Sequence, residues 1–277
     1  MNASKQTKSR GVLIAGNWKM NHGIADTEKF FSQLRSRLET LSPSGKAAFA
    51  SGTLKAAVFP PFLSMTTALK AAAGSAVAVG CQNVHWEKSG AFTGEISGPM
   101  LREISIDSVL VGHSERRQYF GETDETVRKR ADSLTAQGFH VILCIGETRA
   151  EREAGQTLAV LTRQLMGALP EKGKGAASFL DGRLVIAYEP VWAIGTGLTA
   201  TPAQAEEAHQ MVRKFLWDRF GIEASGRTPI LYGGSVTPEN IDSLLACPNV
   251  DGGLVGGASL KPDGFFALIE SAARALA

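Results

Sequence analysis

Three side chains able to move or stabilise protons stand at the ends of apolar, β-branched runs. The first run closes as Gly16-Asn17-Trp18-Lys19-Met20-Asn21, where an ammonium can neutralise an anion and the Asn17 amide can hydrogen-bond beside it. Another closes as Val111-Gly112-His113-Ser114-Glu115-Arg116-Arg117, placing a histidine just before a helical start. There the amino-terminal dipole disfavours the imidazolium form and favours a neutral donor near pH 7. A third closes as Ala187-Tyr188-Glu189 and runs into Pro190-Val191-Trp192-Ala193-Ile194-Gly195-Thr196-Gly197-Leu198. Proline and glycine can form the stiff and permissive ends of a moving segment, and Val191, Trp192 and Ile194 supply an apolar underside. Glu189 therefore reads as a base beneath a lid that excludes water. Each segment alone also admits a plainer reading: a surface lysine, a satisfied structural histidine, a glutamate held in an ion pair.

Two further runs end in glycine pairs, Tyr232-Gly233-Gly234-Ser235-Val236 and Leu254-Val255-Gly256-Gly257-Ala258-Ser259. Consecutive glycines let backbone amides approach an anion, and a serine adds a hydroxyl donor. One such pair is commonly a tight turn, but two at the ends of consecutive final strands point to a phosphate site. Gly195-Thr196-Gly197-Leu198-Thr199-Ala200 also matches a dinucleotide-binding fingerprint by letter. That fingerprint needs its first glycine directly after a strand and an acidic residue about 20 positions on at the next strand end. Here five residues intervene after Glu189, and Asp218 falls within the following helical segment, so the match is rejected.

The elements that must position these residues are eight short apolar runs: Val12–Trp18, Lys55–Phe59, Ala76–Gln82, Asp107–His113, His140–Gly146, Leu184–Glu189, Pro229–Gly234 and Val250–Gly256. Segments with helical spacing alternate with them: Ile24–Thr40, Phe62–Ala73, the shorter Pro99–Ile104, Thr123–Gln137, Thr148–Leu169, Pro202–Phe220, Pro238–Leu245 and Pro262–Leu276. Thr201-Pro202-Ala203-Gln204 offers an N-cap, a proline at the first helical position and a capping-box glutamine, and Thr237-Pro238 repeats the entry. The runs are apolar almost throughout, as strands covered on both faces are. With no Pro/Gly/Ser-rich linker between units, the pattern predicts an α/β fold, a single-domain (β/α)8 barrel over residues 11–277, with a doubly wound sheet as the alternative. In a barrel the chemistry lies at the carboxyl ends of the strands, where the residues above stand.

Composition agrees with a globular protein that has enough apolar material for a sizeable core. The 277 residues carry 29 Lys+Arg and 27 Asp+Glu, 29 − 27 = +2, with 44% hydrophobic and 20% charged residues. Glycine is in excess at 30 of 277, about 11% against about 7% usually. Charge without a basic block argues against nucleic acid, and no apolar run approaches the roughly 20 residues of a membrane span. Residues 1–10 read as a flexible polar extension without a signal-peptide core. Cys81, Cys144 and Cys247 lack metal-ligand spacing and read as free thiols in a reducing compartment, pointing to the cytoplasm. The loop Asn83–Glu95 is long for a βα connection and carries Trp86 and Phe92, expected to be exposed.

From residue 11 to 276 these segments resemble the triosephosphate isomerase family, most specifically at Gly16–Asn21, Gly112–Arg117, Tyr188–Leu198, Tyr232–Val236 and Leu254–Leu260. The resemblance implies a TIM barrel that interconverts dihydroxyacetone phosphate and D-glyceraldehyde 3-phosphate, in glycolysis and gluconeogenesis, without cofactor or metal. It implies Glu189 as catalytic base, His113 as electrophile and Lys19 as the cation beside the substrate oxygens, with Asn17 and Glu115 supporting them. Asn17, Lys19, Gly195, Ser235, Gly256 and Gly257 become the substrate-binding set. The pairing of a neutral histidine with a glutamate base and a closing loop is that family's known arrangement. It further implies a homodimer in which the loop around Thr93 docks into the neighbouring subunit. Another phosphate-binding barrel enzyme, or a binding protein that has kept the fold and lost turnover, remains as an alternative.

Overall fold

Strand-forming segments appear where the apolar runs stand: β1 (Val12–Asn17), β2 (Leu54–Phe59), β3 (Val77–Val79), β4 (Ser108–Val111), β5 (His140–Ile145), β6 (Leu184–Tyr188), β7 (Ile230–Tyr232) and β8 (Gly252–Val255). The structure is a computed structural model and describes residues 10–171, 182–195 and 199–277. The expected extension up to residue 9, most of the loop Glu171–Gly182, and Thr196, Gly197 and Leu198 of the expected lid lie outside the described residues. All strand pairs are parallel, in the order β3-β2-β1-β8-β7-β6-β5-β4. The two end strands meet through Cys81, whose N–H donates to Ser108 at 2.9 Å and whose carbonyl accepts from Leu110 at 2.9 Å. That bridge closes the sheet into a (β/α)8 barrel, and the doubly wound alternative falls.

Alternation along each strand divides the apolar side chains between two cores. Ala15, Ala57, Leu110, Ile142, Cys144, Val185, Ala187, Leu231 and Leu254 fill the barrel interior. Their neighbours, such as Ile14, Leu143, Ile186 and Tyr188, face the surrounding helices. The same period-two parity carries Asn17 and Lys19 on from Ala15, and Glu189 on from Ala187, so these polar residues arrive at the mouth of the barrel.

The helices differ from the expected segments where local chemistry interrupts them. Thr148–Leu169 is two helices, Arg149–Glu153 and Thr157–Ala168, separated at Gly155 with φ +69°. The first opens with a Thr148/Glu151 capping box, and the helix Pro202–Phe220 carries the Thr201/Gln204 box the sequence predicts. Thr237-Pro238 does not open a helix directly. The Thr237 N–H is taken by the Asn240 side chain at 2.9 Å, and the helix begins at Ile241. A helix over Pro43–Ala50, capped by Ser42, lies in what periodicity leaves as a connection. Among the described residues no helix is long and apolar enough to cross a membrane.

Arg10, grouped with the extension on sequence, instead belongs to the barrel. Its Nε donates to Asp251 at 2.8 Å and its Nη2 to the Pro248 carbonyl at 2.7 Å. Asp251 is fully buried at the amino-terminal end of β8 and also accepts from Arg213 at 2.7 Å and the Ile230 N–H at 3.0 Å. Trp86, expected to be exposed, is half-buried: it stacks on His85 at 4.1 Å, and the Arg130 guanidinium lies 5.1 Å from its ring. Phe92 lies 4.2 Å from His85 and is 42% exposed.

Candidate active site

The mouth of the barrel holds a cavity of about 340 Å³ lined by Asn17, Lys19, His113, Glu189, Gly195, Ser235, Gly256 and Gly257. Of the catalytic and substrate-binding residues expected from the sequence, all are in its lining except Glu115, which stands outside. It reaches the site indirectly, its Oε1 2.6 Å from the Lys19 ammonium. Lys19 occupies φ +53°, an uncommon region for a residue with a side chain, and the turn is held from three directions. Its N–H donates to Asn17 Oδ1 at 3.0 Å. Gln82 donates to the Lys19 and Phe59 carbonyls, both at 2.8 Å. The ammonium extends toward the last phosphate-type loop, with a Cβ at Gly256 falling 3.6 Å from Lys19 Cε.

His113 caps the short helix Ser114–Tyr119, and its Nδ1 accepts from the Glu115 N–H at 3.3 Å. An accepting Nδ1 carries no proton, so the neutral ring holds its proton on Nε2, 2.9 Å from Glu189 Oε1. Burial opposes charge on the ring, but the adjacent Glu189 carboxylate, with a smaller push from Glu115, outweighs it and raises the His113 pKa. The Glu115 N–H at the helix start fixes the tautomer, while Glu189 moves the charge balance opposite to the helix-end expectation of a ring kept neutral. That pull exists only while the two side chains touch.

Glu189 is 2% exposed. Burial alone raises a carboxyl pKa, yet the charge and hydrogen bond of His113 and the Ser114 N–H, 3.0 Å from Oε2, prevail and hold it below the usual carboxylate range. Its side chain lies against Gly233, where a Cβ would come within 2.8 Å of Glu189 Cγ. The first glycine of that pair therefore makes room for the carboxylate, a role composition could not suggest.

The segment after Glu189 is anchored at both described ends. Glu147, fully buried, accepts from the Tyr188 hydroxyl at 3.0 Å and Trp192 Nε1 at 3.1 Å, and Arg152 lies 3.3 Å away. Its carbonyl accepts from the Val191 N–H at 3.1 Å. Gly195 turns with φ +68°, and on the far side the Ala200 N–H donates to the Tyr232 hydroxyl at 3.3 Å. Sequence reasoning passed over Glu147, although a carboxylate at the end of β5 is the same signal that drew attention to Glu189 after β6. Ser114, Gln82 and Tyr232 gave no comparable signal, because their roles depend on which strand ends adjoin.

A buried carboxylate touching an imidazole, an ammonium across the cavity and glycine loops opposite can together abstract a carbon-bound proton, stabilise the resulting oxyanion and hold a phosphate. A family model described as triosephosphate isomerase matches residues 12–272. Curated relatives of that name include one from Chlorobium chlorochromatii, 46% identical over 95% of this chain and 99% of its own length. Another, from Solibacter usitatus, is 45% identical over 94% and 99%, and a third, from Moorella thermoacetica, is 46% identical over 94% and 98%. With the barrel, its mouth and these likenesses in agreement, the chain belongs to the triosephosphate isomerase family.

Proposed function

We propose that this enzyme interconverts dihydroxyacetone phosphate and D-glyceraldehyde 3-phosphate through an enediolate, as an aldose–ketose isomerase of glycolysis and gluconeogenesis. The observation that carries the reading is the Glu189 carboxylate, 2.9 Å from His113 Nε2, at a cavity walled by the Gly195, Ser235, Gly256 and Gly257 loops. Glu189 removes a proton from the carbon beside the carbonyl and returns it to the neighbouring carbon. In the arrangement seen, both carboxylate oxygens are engaged, by His113 and by the Ser114 amide. Taking up its task requires Glu189 to leave them, which frees the His113 Nε2–H to donate to the developing oxyanion. Lys19 neutralises the same charge from across the cavity, kept in place by Asn17 and Glu115. Closure of the loop that follows Glu189 excludes water, which suppresses loss of phosphate from the enediolate.

The test is a coupled assay: glyceraldehyde 3-phosphate is supplied, and NADH oxidation by added glycerol phosphate dehydrogenase is followed. Isomerisation appears as steady NADH loss, and none at any enzyme concentration refutes the reading. Lys19→Ala should raise KM and lower kcat together, because the ammonium serves bound substrate and transition state alike. Unchanged kinetics would show that it faces solvent. The pH profile has a definite sign. A base held below the usual range stays ionised as pH falls through 4.5, the ordinary value for this carboxyl. In the acid limb of kcat/KM, once corrected for substrate phosphate ionisation near pH 6, the Glu189 step should therefore lie below pH 4.5, apart from that of His113, which the same contact raises above 6.5. A corrected step between pH 4.5 and 6.5 refutes the assignment, because His113, raised above 6.5, cannot supply it.

The dimeric state belongs to the same proposal. Met20 and Leu63 are 94% and 88% exposed, and Tyr119 and Phe120 are each 67% exposed, all on the segments that follow the carboxyl ends of β1, β2 and β4. Apolar surface of this extent fits burial against a second copy, with Thr93 in the exposed loop tip reaching toward that copy's site. Sedimentation at micromolar concentration should give twice the chain mass, and a fully active monomer overturns it. The buried thiols of Cys81 and Cys144, in no disulfide, fit a cytoplasmic setting.

A further inference from the structure

The carboxyl end of β5 is gripped from outside the barrel by a side chain that the reaction scheme leaves without a role. Gln164 lies on the helix Thr157–Ala168 and is 5% exposed. Its Oε1 accepts from the Gly146 N–H at 2.8 Å, and its Nε2 donates to the Gly146 carbonyl at 3.1 Å. One side-chain amide thus pairs with both main-chain groups of one residue, as a neighbouring strand does. It does so one position past Ile145, where the β5 ladder to β6 ends.

Gly146 is the point on which the catalytic segment rests. A Cβ there would fall 1.7 Å from the Glu189 carbonyl oxygen, so the two backbones lie in direct contact with no side chain between them to absorb a displacement. The residues on either side hold the same segment. Ile145 accepts the Glu189 N–H at 2.7 Å, and Glu147 accepts the Val191 N–H at 3.1 Å as well as Tyr188 and Trp192 through its carboxylate. A shift of Gly146 is therefore passed to the base and to the root of the lid together.

We propose that Gln164 is a positioning residue for the isomerase reaction: its amide fixes Gly146, and through that backbone contact it sets where the Glu189 carboxylate stands. The inference rests on the reading of Glu189 as the base. It accounts for the residue type, because both a donor and an acceptor are needed on one short planar group. Carboxylates offer only acceptors and aliphatic chains offer neither.

Gln164→Met keeps length and approximate volume while removing both hydrogen bonds. With the amount of folded enzyme measured, its kcat should fall about ten- to a hundredfold, the scale of a misplacement of up to 1 Å at the reacting group. KM and competitive inhibition by inorganic phosphate should stay at parent values, since the loops after β7 and β8 do not touch Gln164. A purely structural role would lower the unfolding midpoint and leave kcat per folded molecule intact, and that result overturns the proposal, as does a loss confined to KM. Gln164→Glu covers the case in which Gln164→Met does not fold. When protonated its carboxyl can donate and accept, and when ionised it can only accept. Its kcat relative to the parent should therefore fall as pH rises, and a ratio that does not change with pH overturns the proposal. A parent enzyme without isomerase activity would instead defeat the reading of Glu189, so the two failures are distinguishable.

Discussion

Glu189→Asp should lower kcat by about a hundredfold while leaving KM within a small factor of the parent value. Aspartate withdraws the carboxylate by one methylene, a displacement on the scale that costs two orders of magnitude when a reacting group leaves a near-attack geometry. Nothing in the surroundings can follow it. Both oxygens are met by groups at fixed positions, His113 at the cap of the short helix after β4 and the Ser114 amide that opens it. The Glu189 backbone is held by Ile145 and pressed against Gly146. Binding is spared because the donors expected for phosphate at Ser235, Gly256 and Gly257 come from other loops, and Gly195, six residues past the base, would offer a backbone amide that the substitution leaves unchanged. A loss in kcat and kcat/KM alike is the signature of an interaction made in the transition state. Near-parent turnover by Glu189→Asp, measured in the coupled assay, would remove Glu189 from the role of base.

The second large effect concerns stability at the opposite end of the barrel. Asp251→Ala should destabilise the fold by about 3 to 5 kcal/mol, because it strands buried charge rather than merely deleting a contact. Asp251 is fully buried and receives Arg10, Arg213 and the Ile230 amide. Its removal leaves the Arg213 guanidinium, only 13% exposed, facing a cavity. For a chain of this length that cost corresponds to a drop of roughly 10 °C in the thermal midpoint. Per folded molecule, kcat should be unchanged, since the network sits at the amino-terminal ends of the strands. Arg37→Ala is the control: its pair with Asp263 is 53% and 75% exposed and is worth under about 1 kcal/mol. Equal midpoints for the two variants would refute the account of Asp251.

Much of the site could be read from sequence because barrels collect chemistry at strand ends, and period-two alternation carries a strand's inward face into the loop that follows. Asn17 and Lys19 continue the parity of Ala15, and Glu189 that of Ala187, so the apolar pattern itself aims them at the mouth. Helix limits were less legible where one side chain decided them, as Asn240 does by taking the Thr237 amide and Gly155 by turning left-handed. The place of Trp86 was misread because its burial depends on His85 and Arg130, the latter 44 positions away.

The sequence by itself determined the number of strands, their parallel direction, the identity of the groups that reach the mouth, and the glycines that keep it open. Those follow from local rules of alternation, capping and backbone freedom. Only the tertiary structure decided which strand ends adjoin, and with that everything that depends on contact between distant segments. His113 meets Glu189 because the loops after β4 and β6 flank that after β5, and the charge of each then acts on the other. Glu147 becomes the anchor of Tyr188 and Trp192, and Gln164 becomes the clamp on Gly146, for the same reason. Hydrogen bonds and charges act over a few ångströms of space, and distance along the chain does not report that separation.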